Sequence, residues 1–441
     1  MSFSFSHARA LKIALAFLML PALPLQATGI YNDADARSSA LGGEAVAQTG
    51  SALSAMDANP AALASLPRAE LAVTLTGALL RGEFQQPARS ATLRSDRGLI
   101  ANAALALPAP HQWPVHFGLA VNPDLTLDSS WRYYDQPGGL GGGTSYGQST
   151  QHSSITSVRT TAGVALQATR WLSLGANAGF VYARSALEAP YIFQSQPVLR
   201  GFKTLLDLDA DGYASTFDFG VQVQPTAKLT LGLSYRPRVV IATNGRATGN
   251  AAAQLQALGG GFAAVDPNFS YDAEVRTELP QRVAAGVEWQ ALDRLRVVAG
   301  IDWINWAEAF DQLQIELTNG SNPAINGVAG SSALTDVAPL RWHDQYVYRA
   351  GFEFTVIENL FARAGYSYAR SPVPNETLTP LPGVIFEHTV SAGVGYRWSR
   401  YWADLSWQWR LPATQRVGQS GLFDGEYSRT SLTLSAHLLQ L

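Results

Sequence analysis

The feature that most constrains this chain is a period of two in its apolar residues, repeated from Leu71 almost to the end. In 228–236, Leu229, Leu231, Leu233 and Tyr235 alternate with Lys228, Thr230, Gly232 and Ser234. In 388–398, Val390, Ala392, Val394, Tyr396 and Trp398 alternate with Ser391, Gly393, Gly395 and Arg397. In 427–438, Leu432, Leu434, Ala436 and Leu438 alternate with Ser431, Thr433, Ser435 and His437. Successive side chains of a strand point to opposite faces, so each run has one oily face and one polar or small face. About sixteen such runs are found. Pro280 interrupts 269–290, and a short Trp306-Ala-Glu stretch interrupts 294–318. Proline removes a ladder donor and marks bends, so each interrupted pair is predicted to be one bent strand. About 14 strands then remain, an even number that suits a closed antiparallel barrel.

The connections alternate in length. Thr169-Arg170, Pro225-Thr226-Ala227, Asp293, Ile357-Glu358-Asn359 and Ser399-Arg400 are tight, whereas 123–154, 185–213, 243–268, 319–342, 371–385 and 412–425 are predicted long loops. Tight turns on one rim and long loops on the other belong to outer-membrane barrels. Tyr and Trp also gather at run ends, as in Trp303, Trp306, Tyr346, Tyr396, Trp398 and Trp409. Such rings favour the membrane–water boundary. No stretch has 18 consecutive apolar residues, which excludes a helical membrane protein. With 47% apolar residues the chain is not disordered. Its charge of −3 offers no pull on nucleic acid. Having no cysteine, it has no disulfide framework, thiolate metal site or Cys nucleophile.

Three segments follow. Residues 1–27 read as a secretory signal peptide: His7, Arg9 and Lys12 precede an apolar Ile13–Leu20 and a cleavage site at Leu25-Gln26-Ala27. The export form loses two basic residues and no acid. Residues 28–66 are rich in Ala, Gly, Ser and Asp, lack clean alternation and are too few to fold alone. They are expected to plug the lumen as an N-terminal hatch, since a barrel this wide must be filled or gated. Residues 67–441 form the expected all-β transmembrane barrel.

Particular residues add to this. Ser39-Ala40-Leu41-Gly42-Gly43-Glu44-Ala45 and Asp57-Ala58-Asn59-Pro60-Ala61-Ala62-Leu63 resemble the N-terminal hatch of the FadL family of outer-membrane long-chain fatty acid transporters. Leu279-Pro280, Gly286, Asp302-Trp303-Ile304-Asn305-Trp306 and Phe310 are similar to the same family, as are Asp344–Arg349, Gly351, Arg363-Ala364-Gly365, Ser371-Pro372-Val373-Pro374 and His388–Gly393. The resemblance runs in patches from about residue 29 to 438. It implies a Gram-negative outer-membrane barrel with a plugged lumen and passive uptake of hydrophobic molecules: loop capture, hatch movement, then lateral exit at a kinked third strand. Long-chain fatty acids are the first substrate expected and aromatic hydrocarbons the alternative.

On the residues themselves, the third strand, 115–122, meets Asn122-Pro123, where proline breaks the ladder. Asn59, Pro60 and Ala61 are the candidate gating residues of the hatch, with Asn122 and Pro123 at the lateral exit. Arg341 and His343 are the candidate cations for a fatty-acid carboxylate. Asp207, Asp209 and Asp211 with Gly212 match the start of a calcium loop, with Asp218 at its twelfth position, but no helices flank them. An acidic turn is the plainer reading. Gly143-Thr144-Ser145-Tyr146-Gly147 matches a hydrolase elbow without the strand–turn–helix that motif needs. The histidines, His111 and His116 among them, lack metal-ligand spacing. No cofactor and no catalytic residue is expected, and the partners are hydrophobic small molecules and outer-membrane lipids around a monomer. A general porin would need charged rings around an open channel, and a lipid hydrolase a converging Ser, His and Asp.

Overall fold

The computed structural model describes residues 33–86, 89–94, 97–108, 113–379, 381, 385–417 and 421–437. The signal peptide, residues 28–32 and His111 lie outside them. One 19-stranded antiparallel sheet dominates. Its strands are β1 (Glu70–Gln86), β2 (Arg89–Thr92), β3 (Arg97–Pro108), β4 (Val115–Tyr134), β5 (Gln148–Gln167), β6 (Leu172–Ile192), β7 (Lys203–Thr226), β8 (Leu229–Arg236), β9 (Val239–Asn250) and β10 (Asn268–Leu279). They continue with β11 (Arg282–Leu292), β12 (Leu295–Ile304), β13 (Gln312–Thr318), β14 (Leu334–Pro339), β15 (Gln345–Ile357), β16 (Leu360–Ala369), β17 (His388–Trp398), β18 (Tyr401–Val417) and β19 (Gly421–His437). Among the described residues, five short α-helices accompany them: α1 (Ala36–Ala40), α2 (Ala52–Asp57), α3 (Ala252–Leu258), α4 (Trp306–Ala309) and α5 (Pro323–Ala329).

The sheet closes on itself. β1 pairs with β19 on one side and with β3 on the other. Three of the staves are built in two pieces. β7 meets β8 and then β9; β8 meets β11 while β9 meets β10; β11 meets β12 while β10 meets β13. The interrupted runs 269–290 and 294–318 therefore each follow one course around the ring, as does 229–250 across Pro237. β12 then pairs with β15, and β15 to β19 follow in order. β2 and β14 are short additions at one rim, on β1 and β13.

The oily faces point outward. Phe180, Phe217, Leu231, Phe352 and Leu405 are exposed, while Thr161, Asn177, Glu288, Asp302 and Gln408 are buried on the inner side. Apolar outside and polar inside is the pattern of a barrel in lipid, not of two stacked layers.

The long loops expected at 123–154 and 185–213 are mostly strand, and the one expected at 243–268 is strand as far as Asn250 before α3 begins. β4 runs to Tyr134, β5 starts at Gln148, and β6, β7 and β9 rise equally far. The alternation inverts along β7. Tyr213 and Phe217 face out where the strand meets lipid, yet at 206–211 the outward residues are Asp207, Asp209 and Asp211, and Leu206, Leu208 and Ala210 are buried inside. A strand that leaves the membrane must present its polar face to water, so the period survives while its sense reverses. These extensions enclose a second apolar core, with Phe193, Phe202, Leu255, Phe269, Tyr271 and Ile315 among its members. Asp336 clasps this cap. It accepts the Tyr191 hydroxyl at 2.5 Å and the backbone N–H groups of Gln194, Ser195 and Gln196 at 2.9, 2.7 and 3.0 Å. These donors hold its carboxyl below the usual range despite its burial.

Candidate functional site

Residues 33–66 lie inside the ring, bonded to staves on opposite sides of it. Asn177 of β6 donates to the Met56 carbonyl (2.8 Å), Gln408 of β18 to that of Ser39 (3.0 Å), and Asn102 of β3 to that of Ala34 (2.9 Å). The wall makes room by lacking side chains. A Cβ added to Gly351 would stand 2.7 Å from the Leu41 carbonyl oxygen, and one added to Gly220 or Gly286 would strike Asn59 or Glu44. Asn59 is fully buried and caps the 3₁₀ turn Pro60–Ser65, accepting the Ala61 N–H at 3.1 Å. It also donates to the Val46 carbonyl (2.8 Å) and to Val221 of β7 (3.1 Å), so Asn59, Pro60 and Ala61 form a joint between the enclosed segment and the wall.

Buried ion pairs reinforce this joint. Arg159 contacts Asp57 (3.0 Å), Asp124 (3.2 Å) and Asp218 (2.8 Å), and Arg236 contacts Asp124 (3.0 Å) and Asp218 (2.8 Å). Arg37 contacts Glu288 (3.3 Å) and Glu353 (3.0 Å). Glu44 is different. It is 1% exposed, receives the Ala47 N–H on one oxygen, and its other oxygen has no hydrogen-bond partner. Burial pushes its carboxyl up to about 8.

Above this lies an apolar compartment. Leu125, Leu127, Ile241, Leu279, Trp306, Phe310 and Trp342 are buried together. The Phe310 and Trp342 rings stack at 4.6 Å, and Trp306 meets them at 5.1 and 5.4 Å. A cavity of about 120 Å³ separates it from the enclosed segment, lined by Glu44, Asp57 and Arg282 but also by Ile304, Val347 and Phe386.

The wall beside this interior has a gap. Rungs between β3 and β4 end at Ala103–Val121, although β4 continues for thirteen residues to Tyr134. Further up, the two sides meet again at the Leu93–Trp131 bridge. A bulge between Pro123 and Thr126 turns the intervening stretch inward, and residues 122–129 are buried on both faces. Asp124 is drawn to Arg159 and Arg236, and Leu125 donates its N–H to the Ser157 hydroxyl (3.0 Å). Asn122 is buried with its side-chain carbonyl unpartnered.

A family model described as "Outer membrane protein transport protein (OMPP1/FadL/TodX)" matches residues 26–406. The chain belongs to the FadL/TodX family. Solved structures agree on the fold. A Pseudomonas aeruginosa FadL homologue is 16% identical over 94% of this chain and 99% of its own, with a TM-score of 0.70. The Pseudomonas putida toluene transporter TodX is 18% identical over 93% and 99%, with a TM-score of 0.71. The Ralstonia pickettii toluene transporter TbuX is 16% identical over 92% and 98%, with a TM-score of 0.71. No curated sequence matches. The protein is thus an outer-membrane transport protein of a Gram-negative bacterium, in a family that moves hydrophobic molecules and is not enzymatic.

For this FadL/TodX relative, the structure brings some anticipated residues together and separates others. The enclosed segment reaches the kinked strand through Asp57, Arg159 and Asp124, so the Asn59 joint and the Asn122–Pro123 gap share one ionic cluster. Arg341 and His343 are exposed, and only Trp342 between them enters the apolar compartment. The calcium reading fails on geometry: Asp207, Asp209 and Asp211 point out from β7, and Asp218 points in. The acidic turn fails with it, because these residues are mid-strand. Asp209 instead pairs with Arg184 at 2.5 Å. Ser145 donates to the Asp135 carbonyl (2.6 Å) within a loop. Sequence reasoning missed the ionic cluster, because its members lie up to 179 residues apart. It also missed the aromatic trio, although Trp306, Phe310 and Trp342 each stand at strand ends where a belt would place them.

Proposed function

We propose that this protein takes up small, uncharged hydrophobic molecules of about single-ring size and releases them sideways through the β3/β4 gap. The observation that carries this is the wall itself: a spanning strand leaves its neighbour and folds inward beside an apolar compartment. Apolar transfer, roughly 25 cal/mol per Å² buried, supplies the drive. The substrate size follows from the interior. Trp306, Phe310 and Trp342 offer ring faces to a guest of their own size, whereas the adjoining cavity of about 120 Å³ carries Asp57, Arg282 and Asp302 and suits water better than a hydrocarbon. The buried arginines beneath, Arg159 and Arg236, are matched to carboxylates rather than held for a ligand's acid group. The toluene transporters among the structural neighbours point the same way. Residues 33–66 act as the hatch, hinged at Asn59, Pro60 and Ala61.

Long-chain fatty acids remain the second reading on one observation. An outer recess of about 550 Å³ is lined by His343, Arg370 and His388, although Glu376 and Glu387 share it. One experiment addresses both. Met56 lies against Gly118 of β4, so a disulfide between M56C and G118C ties the hatch to the kinked strand. Toluene uptake into cells is expected to fall to background when the disulfide forms and to return on reduction. Uptake of oleate but not toluene by the unmodified protein reverses the substrate order, and uptake of toluene unaffected by the lock refutes the hatch.

A further inference from the structure

The ring is interrupted at a second place. Three neighbouring staves break at one level: β8 yields to β9 at Pro237 and Arg238, β10 to β11 at Pro280 and Gln281, and β12 to β13 through α4. Just below, the rungs are intact, with Arg282 facing Arg236 on one side and Ile304 on the other. Above, β10 and β13 meet again from the Arg276–Gln314 rung. Between these levels no ladder rung joins 277–281 to 305–311 among the described residues. The Asn305 N–H donates to the Gln281 carbonyl (2.9 Å) at the lower edge, and α4 covers the rest.

The two sides of α4 differ. Inward, Trp306 is fully buried against Phe310 and Trp342, facing Leu279 and Ile304 in the apolar compartment. Outward, α4 is held by exposed polar contacts. Glu308 pairs with Arg238 at 2.7 Å, and Asp344 accepts the Ala307 N–H at 3.2 Å and the Trp303 indole N–H at 3.0 Å. Exposed ion pairs of this kind hold weakly. The window stands one residue above an outward row in which Tyr235 and Tyr346 are exposed and Trp303 half-buried, in register across β8, β11, β12 and β15. Tyr and Trp mark the boundary of the lipid. The long extensions place this level on the outer side.

We propose that α4 is a shutter over a second lateral opening. Through it, uncharged aromatic or aliphatic molecules gathered at the outer lipid boundary enter the compartment without passing through the cap. The first gap then serves release and this one serves admission. The aromatic trio forms the inner face of the shutter and gives an arriving ring a partner at each step. This rests on the uptake reading above.

The absence of cysteine makes the test clean. R238C and E308C sit in exposed side chains across the window and are joined by a short, cleavable thiol cross-linker, with toluene as the probe. Cross-linking is expected to slow toluene uptake by about fivefold or more, restored on cleavage, because closing a lid limits passage. A second variant, W306L, thins the shutter and is expected to raise the rate. Unchanged uptake in the cross-linked protein overturns the shutter, while the M56C/G118C lock still abolishing uptake leaves the transport reading standing. If neither tether affects uptake, the hatch reading fails along with the shutter. A W306L protein that folds and transports at the original rate also counts against the shutter.

Discussion

Around Arg159 the interior of the barrel is charged, rich in ion pairs and fitted closely to a floor of wall glycines. Around Trp342, higher in the same lumen, it is apolar, with few directional bonds. The lower region pairs Arg159 and Arg236 with three carboxylates, and each pairing depends on geometry. The upper region is held by ring stacking and aliphatic packing. Buried charges tolerate little displacement, because a charge moved off its partner is left without water. Apolar packing accepts substitutes of similar volume. One storey therefore suits a seal with a defined closed position, and the other suits a compartment whose own side chains give way to a visiting hydrocarbon. The two wall breaks open beside the upper storey, which is where such a molecule resides.

The largest effect should come from denying the lower storey its fit. G351L sets a branched side chain against the Leu41 backbone, where even a Cβ comes within 2.7 Å of the carbonyl oxygen. The outward face of β15 is untouched, so the barrel should still assemble while residues 33–66 are expelled. Single-channel conductance in planar bilayers is expected to rise on the order of tenfold, because a barrel this wide without its filling is a pore. Conductance as low as in the parent protein would mean that the glycines do not seat the segment.

Next comes the contrast in tolerance. R159M leaves Asp57, Asp124 and Asp218 to Arg236 alone and should cost about 3–5 kcal/mol. L279M, in the upper core, should cost less than about 1.5 kcal/mol, since volume is conserved. Denaturant unfolding in detergent measures both. Equal losses would erase the distinction between the storeys.

This distinction was only half legible in the sequence. The strands were readable because lipid on one side and polar filling on the other force a period of two, and Pro280 and the Trp306 stretch flagged the interruptions correctly. The strand extensions at 123–134 and 203–213 were not read as strand, because the same period with its sense reversed resembles polar loop. The acids at 207, 209 and 211 mimicked a calcium loop for that reason. Asn59 and Pro60 were visible as a turn, and Asn122-Pro123 as a break. The Asp57–Arg159–Asp124 link between them was not visible, since pairing across the lumen leaves no trace in local spacing. Arg341 and His343 attracted attention as cations, whereas the residue that enters the compartment is Trp342 between them.

The smallest effect concerns Glu44, where the lower storey departs from its own rule by burying a carboxyl without a cation in contact. Burial raises its pKa from 4.5 to about 8. Between those values the seated form keeps a proton that the released form gives up, so seating weakens as pH rises through that window and levels off above it. Hydrogen exchange of residues 33–66 should therefore quicken from pH 5 to pH 8, after correction for intrinsic exchange chemistry. E44Q keeps the shape and the hydrogen-bonding oxygen but cannot ionise, so its corrected exchange should quicken less than the parent's over the same range. A parent protein that quickens no more than E44Q would place a compensating charge beside Glu44 and restore its pairing.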